Sequence, residues 1–370
     1  MRHSISFVVV IGALFFTACA SMGSNQLKGF RQIRYTNSRD TIAPKNISRF
    51  ILMNDGKIVI ADSQSLKIIR EDKLLRSYPI NGCSALLASD DTLFVGSEAG
   101  LFRIYLPTGE LERFEFPARE NHPVITGLTL DPVKRLWVAT AKYGVFSLEG
   151  GRFHPHSVSS YVSSIVATRD TSVWAGTNFG IFRLFPNGEV QRYYEEIPAN
   201  GIAIPDNIIE HMNTDAHGNM WIFMSQAVSV LAPEEYERGM PSSGDGDVDP
   251  HTFAFLGSPS NHIKKFIQPK SRANAWWAIS TEGLFVASDV KFEDMQSGIP
   301  DKIEKPKANL RRITSFLDEH TNKNIPVTNP TDLAFDDNGD LWISTAEGLF
   351  EISSATLMSY ERTSVLQAKK

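Results

Sequence analysis

The chain has 370 residues, 42% of them apolar and 21% charged, with a formal net charge of −5. That apolar share can fill a core and argues against wholesale disorder. The mildly acidic balance excludes the basic stripe of a nucleic-acid binder, and the length suits two average domains or one large repeat or barrel domain.

Residues 1–18 read as a secretory signal peptide: Arg2 supplies the basic start, an apolar run extends from Phe7 to Phe16, and small residues precede Cys19. The run is too short for a comfortable membrane-spanning helix, which needs about 20 apolar residues. Residues 20–29, "ASMGSNQLKG", read as a flexible tether. The chain has two cysteines, Cys19 and Cys83. Cys83 opens the apolar strand "GCSALLA" and reads as a buried, inert thiol, since no base partner lies near it in sequence.

Beyond the tether, a dozen-residue phrase recurs. It reads "LFVGSEAGLFRI" at 93–104, "LWVATAKYGVFSL" at 136–148 and "VWAGTNFGIFRL" at 173–184. It returns as "WWAISTEGLFVA" at 276–287 and "LWISTAEGLFEI" at 341–352. Two weaker copies, 57–70 and 218–232, complete a series centred on Val59, Phe94, Trp137, Trp174, Trp221, Trp277 and Trp342. A period of 40 to 50 residues means stacked supersecondary units.

Each unit has one grammar. A first strand such as "ITGLTLD" (125–131) precedes a turn such as "DNG" (337–339), and a second strand carries Trp among small residues. Next come a turn ending at Gly100, Gly144, Gly180, Gly283 or Gly348, a third "GLF" strand, and often a polar fourth strand such as "LERFEF" (111–116). Four short antiparallel strands with glycine hairpins describe a propeller blade. The expectation is an all-β, single seven-bladed β-propeller over residues 30–370. Its inserts fall at about 232–261 and 288–328. Within the second, Leu310, Ile313 and Leu317 have helical spacing and predict a short helix over 307–319. The outer strand of the last blade can come from "GFRQIRY" (29–35) or from "LMSYERT" (357–363).

The pattern Asp…Gly-x-Leu-Trp-Ile-x-Thr-x-x-Gly-Leu-Phe resembles the regulator-propeller repeat of periplasmic sensor domains in bacterial two-component systems. It is clearest around Trp137, Trp174 and Trp342, and spans most of residues 47–360. The resemblance implies the fold and an envelope address. Those sensors carry two propellers and a signalling module, so a kinase-linked role does not carry over. Phe16-Thr17-Ala18-Cys19 likewise resembles the lipobox of bacterial lipoproteins. That implies lipidation of Cys19, a membrane anchor there, and, with Ala20 following, an outer-membrane address facing the periplasm. Ordinary signal cleavage leaving a free Cys19 is the alternative.

No catalytic constellation stands out, and neither a cofactor nor a metal is called for. "DGDVD" (245–249) starts like a calcium loop, but Pro250 and Leu256 occupy its key later positions. "HPH" (154–156) lacks further ligands, and His211 and His217 are too far apart along a strand to converge. The repeated Trp and Phe read as packing between blades.

The turns between second and third strands form the candidate binding face. They carry Asp62, Glu98, Lys142, Tyr143, Asn178, Phe179, Gln226, Glu282 and Glu347. The acids belong to units six, seven, one and two, and the aromatic and basic residues to units three and four. The loops between blades add Arg119, His122, Tyr161 and Asn207. The expectation is a non-enzymatic scaffold for a protein, peptide or glycan of the cell envelope. The alternative is a metal-dependent propeller hydrolase or lyase acting on a lactone or cyclic ester, its metal held by the acidic arc.

Overall fold

The computed structural model describes residues 25–38, 40–116, 123–156, 158, 161–193, 206–215, 218–224, 228–231, 233, 263–269, 275–288, 309–318 and 323–358. The signal peptide, Cys19, Arg119, His122, His217, Gln226 and the 245–249 turn lie outside these residues. The described chain falls into two compact units. One lies within Thr129–His262; the other comprises Ser21–Leu128, Ile263–Asp289 and Asn309–Lys370.

Seven sheets follow the seven repeats one for one and make the β-propeller fold. Blade 1 has strands Arg49–Leu52, Ile58–Ala61, Leu66–Arg70 and Lys73–Tyr78, extended by Tyr35–Thr36 and Thr41–Ile42. Blade 2 runs Cys83–Ser89, Thr92–Ser97, Gly100–Tyr105, Glu110–Arg113. Blade 3 runs Ile125–Leu130, Leu136–Thr140, Val145–Glu149, Arg152–His156. Blade 4 runs Val162–Ala167, Val173–Thr177, Gly180–Leu184, Val190–Tyr193. Three strands are described for blade 5: Ile209–Thr214, Met220–Met224 and Val228–Leu231.

Blade 6 departs from expectation. Its fourth strand is Asn309–Asp318, where the spacing predicted a helix. The segment "ITSF" is rich in β-formers, and the edge of Gly283–Ser288 needs a partner. Pairing with that edge sets Ile313 against Leu284, and Ile313 and Phe316 are both completely buried. Lys323–Pro326 adds to this strand, and so does Asn25–Lys28 in parallel. Residues 25–28, assigned to the tether by the sequence, are thus strand, and Leu27 is buried.

Blade 7 has Asp332–Phe335, Leu341–Thr345 and Gly348–Ile352. Its outer strand is Phe30–Gln32, antiparallel to Gly348–Ile352, so the N-terminal candidate completes the blade. Residues 354–358 form one helical turn instead of the local alternative.

Trp137, Trp174, Trp221, Trp277 and Trp342 are all at most 5% exposed, as packing between blades requires. Apolar clusters join successive blades: Val59, Ile68, Leu93 and Val95 link blades 1 and 2; Trp137, Val145, Val162 and Ala175 link blades 3 and 4. Trp277, Ile313, Leu341 and Phe350 link blades 6 and 7, and Phe50, Ile60, Trp342 and Leu349 link blades 7 and 1.

Candidate functional site

Turns between second and third strands are bonded to loops that enter a blade. Backbone bonds show it: Glu98 N–H donates to Gly82 O at 3.2 Å, Gly180 N–H to Asn207 O at 2.8 Å, and Ala346 N–H to Thr328 O at 3.2 Å.

In five blades one hydroxyl builds this turn. Ser97, Thr140, Thr177, Ser280 and Thr345 end the second strands, and all are fully buried. Their Oγ atoms accept the backbone N–H of Ala99, Tyr143, Phe179, Glu282 and Glu347 at 2.9–3.1 Å. A buried hydroxyl without a partner would be costly, so turn and strand hold each other in place.

A second clamp escaped the sequence reading. In blades 2, 4 and 6 an outer-strand arginine donates to a turn carbonyl. Arg113 reaches Ala99 O at 2.8 Å, Arg192 reaches Phe179 O at 2.9 Å, and Arg312 reaches Glu282 O at 2.6 Å. The same arginines pair in register with Phe102, Phe182 and Phe285 and sit 5.5–5.9 Å from those ring centroids. In blade 7, Gln32 takes the place of arginine, donating to Glu347 O at 3.1 Å. The trace in sequence is an arginine in each of the outer strands of blades 2, 4 and 6.

These contacts reshape the expected acidic arc. Asp62 is half-buried; it accepts the N–H groups of Gln64 and Ser65 at 2.9 Å and pairs with Lys67. Burial alone would raise its pKa, but the Lys67 bond and the turn N–H groups outweigh this and hold it below the ordinary aspartate value. Glu282 pairs with Arg312 at 3.3 Å. Two of the four acids are therefore neutralised within their own blades. Glu98 is exposed and Glu347 half-buried.

In the unit of blades 3 to 5 the predicted residues lie on the corresponding turns of blades 3 and 4 and on the loops that enter blades 4 and 5. Lys142 lies 5.5 Å from the Tyr143 ring centroid. Phe179 is 57% exposed, held by Thr177 on its N–H and Arg192 on its carbonyl; Asn178 beside it is exposed. Asn207 binds the same turn through Gly180, which brings the 47%-exposed Ile208 next to it. Tyr161, 41% exposed, leads into Val162, whose register partner is Thr177. The turn that presents Phe179 needs the positive φ of Gly180, +91°.

The remaining sequence candidates have structural roles. His156 stacks on Trp137 at 4.6 Å between centroids and bonds Ser147 Oγ at 3.0 Å, while His154 is exposed on the same outer strand. Burial, and then Arg135, lower the His156 pKa. His211 stacks on Phe223. Among the described residues one acidic trio, Asp336, Asp340 and Glu351, is close enough to share a cation. It is already engaged: Asp336 holds its turn and the Trp342 indole, Asp340 accepts Ser354 N–H, and Glu351 pairs with Arg31.

The sequence matches no family model and no curated protein. Solved structures share the fold. Virginiamycin B lyase from Staphylococcus aureus is 13% identical with a TM-score of 0.59, covering 88% of this chain and 98% of that one. PorZ, described as an essential bacterial surface component of the type-IX secretion system of Porphyromonas gingivalis, is 15% identical with a TM-score of 0.60. The extracellular domain of the putative hybrid two component system BT3049 from B. thetaiotaomicron is 14% identical with a TM-score of 0.58. This chain is covered over 87% and 84% in these two alignments but spans only 48% and 40% of those proteins. At such identities the likeness shows the fold alone.

Proposed function

We propose that the protein is a non-enzymatic scaffold of the bacterial cell envelope, anchored through a lipid on Cys19 to the outer membrane and binding a protein, peptide or glycan. The observation that carries the reading is the surface around Phe179. Phe179, Tyr161 and Ile208 stay exposed with Asn178 around a blade 4 turn fixed by a buried hydroxyl and an arginine clamp, and Lys142 and Tyr143 occupy the corresponding turn of blade 3. Rigidly held aromatics beside polar groups are what an interface anchor requires, because little side-chain entropy is lost on binding. The extracellular domain of a putative two component system and a bacterial surface component share the fold, which supports an envelope setting. The competing reading is a metal-dependent reaction on a lactone or cyclic ester, but two of the four acids that would hold its metal, Asp62 and Glu282, are engaged in a turn and in ion pairs.

The test is capture of the tagged full-length protein from native membranes, beside a Lys142→Ala/Tyr143→Ala/Phe179→Ala variant, with mass spectrometry and metal analysis of both. A partner lost in the variant is the expected result. Stoichiometric calcium or zinc and no partner would overturn the reading in favour of the hydrolytic one.

A further inference from the structure

At the start of the inner strands of blades 2, 4, 6 and 7 a side chain latches onto the next blade. Ser84 Oγ donates to Ile125 O, Ser163 Oγ to Ile209 O, and Thr331 Oγ1 to Ile47 O, each at or just before the start of the next blade's inner strand. In blade 6 this position is Lys264. Its Nζ reaches the equivalent carbonyl, Pro330 O, at 3.0 Å, and also Asn329 Oδ1 at 2.8 Å. From the other side, Arg49 Nη1 donates to Thr331 O at 3.3 Å and Ser48 O at 2.7 Å. One residue further along, Lys265 pairs with buried Asp332 at 2.7 Å.

Three half-buried cations therefore converge on Asn329–Asp332, and one carboxylate answers them. Among the described residues, Lys264 and Arg49 have only neutral oxygens as hydrogen-bond partners. The third ammonium proton of Lys264, and the Nε and Nη2 groups of Arg49, take no described acceptor. A hydroxyl suffices for the latch in blades 2, 4 and 7, so the charge at 264 is not explained by latching. Three half-buried cations sharing one carboxylate are under-compensated: Asp332 is bonded to Lys265 and also interacts electrostatically with Arg49, and burial followed by Arg49 lowers the Lys264 pKa. Asn329 beside them is exposed, so the cluster is open to solvent.

We infer that Lys264 and Arg49 form a binding site for an oxyanion, the carboxylate or phosphate group of a small ligand or of a larger one's end. The guanidinium offers a planar pair of donors suited to such a group, and the ammonium adds a point charge. The inference extends the binding reading to a second locus, and its test does not pass through the Phe179 surface.

The experiment titrates the purified full chain with sodium phosphate and, separately, sodium succinate, each against sodium chloride at matched ionic strength, by calorimetry. Saturable binding of either anion is expected, phosphate alone marking a phosphate ligand and succinate alone a carboxylate. Lys264→Ser, which installs the latch residue of the sibling blades, should weaken binding at least about tenfold with the circular dichroism unchanged, as loss of one charge-assisted bond implies. Arg49→Gln should do the same, and Lys323→Ser, an exposed control, should not. No saturable binding by the wild-type chain, or unchanged binding by Lys264→Ser, would overturn the site. Neither result bears on partner capture through Phe179.

Discussion

Asp131 and Trp137 are joined across the first turn of blade 3: Asp131 Oδ2 accepts the indole Nε1–H at 3.0 Å while Oδ1 accepts the N–H of Val133 at 3.1 Å and of Arg135 at 2.9 Å. The six-residue spacing repeats at Asp215 and Trp221, also 3.0 Å, and at Asp336 and Trp342, 3.3 Å. The carboxylate closes the turn and orients the ring that packs between blades, which ties a local sequence pattern to the core. Asp131→Ala leaves a buried indole N–H and two turn N–H groups unanswered, and a loss of about 2–4 kcal/mol is expected. Chemical denaturation checks this; a change under about 0.5 kcal/mol, the range of ordinary surface substitutions, would show that the clasp is dispensable.

Gly176 gives a second prediction. A Cβ there would lie 2.5 Å from Cγ2 of Ile209 in the next blade. Gly176→Ala should cost about 1–3 kcal/mol as overpacking between blades. Ile209→Ala alone should destabilise by leaving a cavity, and the double variant should be more stable than the sum of the two losses predicts. Strict additivity in the cycle would mean that the contact does not set the blade spacing.

Much of this architecture is legible in the sequence because packing repeats. Trp, small residues and glycine recur at fixed spacing in five clear units, and two weaker ones fall on the same grid. Contacts made by one polar residue per blade are harder to read, since the residue changes while the bond persists: Arg113, Arg192 and Arg312 give way to Gln32, and Ser84, Ser163 and Thr331 give way to Lys264. The pairing within the acidic arc is hard to read for a related reason. Counting Asp62 and Glu282 as free charges ignores Lys67 and Arg312, one beyond the turn and the other 30 residues along the chain. Leu310, Ile313 and Leu317 suited a helix by spacing, yet an unpaired neighbouring strand decided the outcome. Of the proposed surface, Phe179 and Tyr161 were readable as exposed, while the clamp that fixes Phe179 was not.

Cys83 supplies a chemical prediction. Burial pushes its thiol up to about 12, against a slight opposing pull from Arg49. Only the thiolate is a good nucleophile, so the native protein, with Cys19→Ser, should resist alkylation by iodoacetamide at pH 8 and react once unfolded. The folded pKa lies above the unfolded one, so this group's contribution to stability is whole below about pH 9 and is lost as pH rises toward 12. Labelling of the native chain as fast as of the denatured chain would show that the strand opens readily.

Asp332 governs the opposite limb. It joins three blades, accepting from Lys265 of blade 6 at 2.7 Å and from the Phe50 N–H of blade 1 at 3.2 Å. Burial alone would raise its pKa; Lys265, Arg49 and the Phe50 N–H outweigh that and hold it below the ordinary aspartate value. A depressed folded pKa contributes stability that is present above the unfolded value, near 4, and is lost as pH falls through the folded one. Asp332→Asn should therefore be less stable than the wild type at pH 7, because Lys265 and Arg49 lose their counter-charge, and the gap should narrow as both are taken below pH 4. Unfolding midpoints measured from pH 7 down to pH 3 decide the matter. A gap that stays constant through that range would mean that the carboxylate's shape, and not its charge, joins blades 6, 7 and 1.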